Sequence, residues 1–207
     1  MAHGMALHML GVFTAAALSS SHSPTPLLRL RGGSATLPRS IEKKIIADNA
    51  PALQSALEDG TIDATSMSDS GNSALHIACK HGAIQCADAL LTQKRIAANA
   101  QRGDGVTSLM LAAQNGHAAC VQRLLKADAA VNQQQAEGSA ALHYATRHGR
   151  LACLAALLQA RKVDVNVARA DGLTACMIAA FEGQEPCLAL LLEAKADTRR
   201  EVSQLSS

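Results

Sequence analysis

Aromatic residues are nearly missing from this chain: its 207 residues include no tryptophan, one tyrosine and two phenylalanines. Any core must therefore be aliphatic and alanine-rich, and platforms on which nucleobases could stack are not available. No apolar run reaches eighteen residues, which excludes a helix that spans a bilayer. Charge of one sign is not in excess either. The formal net charge is +2, and residues 1–40 carry Arg29, Arg31 and Arg39 with no acid, which leaves the remainder at −1. That balance argues against the clustered cationic surface that a nucleic-acid partner requires. There is no phosphate-cradling glycine loop, no supported Ser-His-Asp or Cys-His arrangement and no distinctive carboxylate pair, so neither an enzyme nor a cofactor is expected. What the chain has is aliphatic mass: at 48% hydrophobic it can bury one continuous core.

That mass is periodic. Glycines at Gly71, Gly105, Gly138 and Gly172 open four segments, with gaps of 34, 33 and 34 residues. A second set, Gly82, Gly116, Gly149 and Gly183, keeps the same step, and so do the leucine pairs Leu90-Leu91, Leu124-Leu125, Leu157-Leu158 and Leu191-Leu192. Three markers in phase mean stacked supersecondary units. Within the second segment Thr107 is placed to cap a helix carrying Leu109, Ala112 and Ala113. Gly116 then ends that helix, and Val121, Leu124 and Leu125 present one apolar face of the next. Each unit reads as helix–turn–helix plus a loop.

The segments Ser73-Ala74-Leu75-His76, Thr107-Ser108-Leu109-Met110, Ala140-Ala141-Leu142-His143 and Thr174-Ala175-Cys176-Met177 carry a resemblance to the ankyrin repeat family. They depart from its pattern in lacking the proline of the second position, and two have methionine for histidine. The resemblance implies an all-α solenoid of stacked helix–turn–helix units with protruding loops or short hairpins. Its repeats fall at 69–102, 103–135, 136–169 and 170–199. Residues 41–68 read as a degenerate capping repeat: Ile41, Ile45 and Ile46 make one face, Leu53 and Leu57 another, and Ser40 caps the first helix. Glu42, Lys43, Lys44, Asp48 and Glu58 would give this end its polar outer surface.

The two termini are of different material. Met5–Leu18 is an apolar run followed by Ser19-Ser20-Ser21 and an acid-free stretch to Ser40, similar to a targeting leader of the two-part kind used by plastids with extra membranes. No cation precedes the apolar run, and a disordered N-terminus or a mis-assigned start codon stays open. Leu28-Arg29-Leu30-Arg31-Gly32-Gly33 spells the tail of ubiquitin, but only 27 residues precede it, too few for the folded domain that ubiquitin-processing enzymes grip. At the other end, residues 200–207 form a tail too short for another helix pair. The apolar segment Cys187–Leu192 before it is a candidate for self-association.

Cys86, Cys120, Cys153 and Cys187 share one slot of successive units. Stacked helices lie about 8–10 Å apart, and a disulfide needs Cα atoms within about 7 Å, so equivalent cysteines cannot bridge. All six cysteines read as small buried hydrophobes, which suits a reducing compartment such as cytoplasm or plastid. His76-x-x-Cys79-x-His81 has the residue types of a metal site, but its three side chains leave the unit in different directions. His76 and His143 are expected to brace neighbouring turns, and Tyr144 to pack inside.

What remains is surface. By the resemblance, partners bind at loop tips and at the concave ends of the first helices. The tips here are Asp69, Asn72, Asp104, Glu137 and Asp171, an acidic ridge. The helix ends are Lys80, His81, Gln114, Asn115, Arg147, His148, Phe181 and Glu182, a groove basic at its first and third units, with Arg147 and Phe181 as candidate anchors. The function expected is non-enzymatic binding of a partner protein of unspecified identity. Two other readings stay open: an assembly subunit that associates through its apolar C-terminal repeat, and a regulatory subunit of an enzyme on another chain.

Overall fold

The computed structural model describes residues 36–63, 65–93 and 98–196, all within one compact unit, Gly33–Ser207. The expectations for the apolar leader, for the ubiquitin-like hexapeptide and for the tail after residue 199 lie outside the described residues.

Among the described residues are ten helices and no strand. They come in pairs: α1 (Arg39–Ile46) with α2 (Ala50–Glu58), α3 (Ala74–His81) with α4 (Ile84–Leu91), α5 (Ser108–Asn115) with α6 (Ala118–Lys126), α7 (Ala141–Arg147) with α8 (Leu151–Leu158), and α9 (Ala175–Phe181) with α10 (Glu185–Glu193). The odd-numbered helices pack successively on one another, as do the even-numbered ones, giving two layers of a solenoid. The hairpins expected at the loops shrink to single antiparallel bridges, Met67 to Ser73, Gln101 to Thr107 and Ala168 to Thr174.

Local chemistry explains these helices. Ser73, Thr107 and Thr174 each accept a hydrogen bond from the backbone amide three residues on, which satisfies one orphan donor of α3, α5 and α9. α5 ends at Gly116 in the left-handed conformation, which suits a residue without Cβ. The first leucine of each pair, Leu90, Leu124, Leu157 and Leu191, is fully buried. The core joins these leucines to Leu75, Leu109, Leu142 and Leu154 with alanines between the helices.

The first helix pair departs from expectation in four respects. The cap position of α1 is Pro38, whose fixed φ suits a helix entry, and Ser40 lies inside the helix. Ile41 and Ile45 are buried one turn apart, whereas Ile46 is rotated off that face and is 48% exposed. Asp48 does not serve the outer surface. Its carboxylate accepts the amides of Cys86 at 2.9 Å and Gln85 at 3.3 Å, so it caps α4 of the next unit. Order also begins before residue 41. Leu37 is buried, its amide donates to the Met67 carbonyl at 2.8 Å, and Thr36 forms a parallel bridge to Met67. The segment from Thr36 therefore belongs to the folded unit.

Candidate functional site

The loop tips are cross-linked to one another. Ala136 donates its amide to the Asp104 carbonyl, and Ala170 to that of Glu137, both at 3.1 Å. Gln134 repeats the pattern with its side chain, donating to Gly138 and to Ala168 of the following loop. Successive tips are thus held in one row by hydrogen bonds, which limits their independent motion.

The acidic ridge is largely neutralised. Arg102 grips Asp104 through two nitrogens, Arg169 lies 3.1 Å from Asp171, and Arg39 lies 3.6 Å from Asp69. The Arg102 hydrogen bond is the chief reason the Asp104 carboxyl is pulled down to about 2. Asp104 and Asp171 also accept the amides two residues on, from Val106 and Leu173, so they shape their own turns. Asn72 is not a tip contact at all. It is buried at 8% exposure, its side-chain nitrogen donates to Ser70, and its oxygen accepts from Arg102 of the next unit. Glu137 is the remaining tip carboxylate, held by Gln135.

The helix ends are arranged differently. Lys80, His81, Asn115, Arg147, His148, Phe181 and Glu182 are exposed, and Gln114 is half-buried. Three links tie the rungs together. His117 donates to the Lys80 carbonyl at 3.1 Å, Arg150 donates to that of Gln114 at 3.1 Å, and Arg147 lies 3.5 Å from Glu182. Partial burial holds the His81 and His148 rings below their ordinary pKa, aided by Lys80 beside the first and by Arg150 and Arg147 beside the second. Phe181 is 90% exposed. Tyr144, expected inside, is half-buried against the core.

Behind these surfaces sit two buried histidines. His143 Nδ1 accepts from the Ala140 amide at 2.9 Å, and its Nε2 donates to the Val167 carbonyl at 3.0 Å. His76 makes the same pair of bonds to the Ser73 amide and to Val106 of the next unit, adding the Ser73 hydroxyl at 2.7 Å. Ala140 lacks that hydroxyl, yet its backbone suffices. A carbonyl can only accept, so the proton sits on Nε2 and Nδ1 must stay bare. Burial holds the His143 ring down to about 4. In the unfolded chain the ring titrates near 6.5, so its contribution to stability is full above that pH and drains away as pH falls toward 4. His143→Leu is expected to flatten the dependence of the urea midpoint between pH 6.5 and 4, relative to the parent chain.

All six cysteines are buried. Cys79 and Cys120 lie in unlike slots of consecutive units, and the neighbouring Cys120 thiol together with burial holds the Cys79 thiol well above its ordinary value. Comparing equivalent slots, as the sequence invites, does not reveal this pairing. His76 and Cys79 face the interior while His81 is exposed, so the three do not converge.

A family model for ankyrin repeats, with three copies, matches residues 44–135 and again 109–201. A comparison with curated proteins gave no match.

Proposed function

This chain belongs to the ankyrin repeat family, and from that premise we propose that it is a non-enzymatic module that binds a partner protein along the exposed ends of its odd-numbered helices. The observation that carries this reading is Phe181. In a chain with almost no aromatic residues, this phenylalanine is 90% exposed, and the neighbouring Glu182 pairs with Arg147. Exposed aromatic and arginine side chains are the usual anchors of protein interfaces. The tips, by contrast, spend their acids on arginines of their own stack. They support the row and frame it. Docking on such a cross-braced scaffold needs little backbone rearrangement.

The test compares capture from native extract by the full chain and by an Arg147→Ala/Phe181→Ala variant. Both side chains are exposed, so the variant should keep the parent's melting temperature within about 1–2 °C, as surface substitutions usually do. A partner held by the parent and lost by the variant is the expected result. Equal capture would move the site off the helix ends.

A second reading has its own observation. Leu188 is half-buried, whereas Ala87, Val121 and Leu154 in the same slot of earlier units are buried, and Leu192 is 46% exposed. The end of the stack is therefore apolar, as association through the last repeat would require. A single monomeric species in sedimentation equilibrium at high protein concentration would eliminate self-association.

A further inference from the structure

The structure changes the charge of the surface a partner meets. Three of the four tip carboxylates are matched by Arg39, Arg102 and Arg169, so the ridge offers little net negative charge. Over the first three rungs of the helix-end row cations outnumber acids, and of these cations Arg147 is the one paired, with Glu182 of the fourth rung. Lys80 stands on the first, Gln114 and Asn115 on the second, and Arg147 and Arg150 on the third, with no carboxylate among them. Acids enter only on the fourth rung, beside Phe181, where Glu182 already faces Arg147 at 3.5 Å. Because His117 and Arg150 reach back to the carbonyls of the preceding rung, the row is continuous.

We propose that this row takes an extended acidic polypeptide segment, with carboxylates over Lys80 and Arg147 and one apolar side chain against Phe181. The proposal rests on the helix-end reading of the site and adds the chemistry of the partner. Its register follows from geometry. Neighbouring helices lie about 8–10 Å apart, and an extended chain advances about 3.3 Å per residue, so one rung takes about three residues. The two carboxylates then lie about six residues apart and the apolar side chain about three residues further on. Long-range attraction from the cationic rungs would speed the encounter and make it sensitive to salt.

The experiment uses the full chain and fluorescence anisotropy with three labelled probes: a twelve-residue glutamate peptide with a leucine at each end, its lysine counterpart, and a single-stranded oligothymidylate of similar length. The glutamate peptide should bind saturably, at least tenfold more tightly than the lysine peptide. It should lose at least tenfold in affinity to a Lys80→Glu/Arg147→Glu variant whose melting temperature is unchanged. Tighter binding of the oligothymidylate, preference for the lysine peptide, or no saturation by the glutamate peptide at about 1 mM would each overturn the acidic class. If extract capture is still lost on Arg147→Ala/Phe181→Ala, such a result leaves the helix-end site standing. Glutamate-peptide binding that survives the charge reversal would overturn the placement of the acidic segment on this row.

Discussion

Leu124→Ala should lower the free energy of unfolding by about 2–5 kcal/mol, the range for deleting a large aliphatic side chain from a packed core. Leu124 has no exposed surface and sits on α6, which packs against α4, α5 and α8. The three lost carbons leave a void that the surroundings cannot readily fill. Small buried residues, Ala112 and Ala113 of α5 and Cys120 one turn before Leu124 on α6 itself, have no long side chains to swing inward. In a solenoid, moreover, each unit is stabilised chiefly by its nearest neighbours. A defect in the middle weakens the joints on both sides. Leu192→Ala provides the control: that side chain is 46% exposed, and its loss should cost within about 0.5 kcal/mol. Urea denaturation followed by circular dichroism measures both. A cost below about 1 kcal/mol for Leu124→Ala would mean that the α6 interfaces are looser than their burial indicates.

Leu124 was legible in the sequence, and the reason is periodicity. The leucine pairs announce a helix face, and the first member of every pair is buried while the second is at most half-buried. The hydroxyl caps and the left-handed glycine after α5 were legible for the same reason, since each is a local rule repeated in phase. The errors share a different cause. Asp48 was read as a surface acid, yet its hydrogen-bond donors lie 37 and 38 residues further along the chain. Asn72 was read as a tip, yet it is held by Arg102, 30 residues away. No local pattern encodes such pairings between units. One clue was present: Arg102 and Arg169 each stand two residues before the aspartate they neutralise, close enough to question an acidic ridge. Leu37 was assigned to the leader because composition blurs a boundary that hydrogen bonding to Met67 draws sharply.

Gly138→Ala should destabilise the stack by about 3 kcal/mol, and Gly172→Ala by roughly 1–2 kcal/mol. The two glycines occupy the same slot with φ of +81° and +82°, so the strain of a left-handed L-residue, roughly 1–2 kcal/mol, is common to both. Their surroundings differ. A Cβ on Gly172 meets nothing within 4 Å, whereas one on Gly138 would lie 2.5 Å from the Ala170 nitrogen and 2.9 Å from the Arg169 carbonyl carbon. Those atoms are backbone and cannot rotate away. The loop must shift, and the Ala170 amide then pulls off the Glu137 carbonyl it now meets at 3.1 Å. Losing that bond adds about 1 kcal/mol, with crowding on top. The difference in urea midpoint between the two variants isolates the tip-to-tip contact from the φ strain. Faster hydrogen exchange at the Ala170 amide in Gly138→Ala alone would locate it. Equal costs for the two substitutions would mean that the third and fourth tips do not touch, and the rigid row that frames the helix ends would lose its main support.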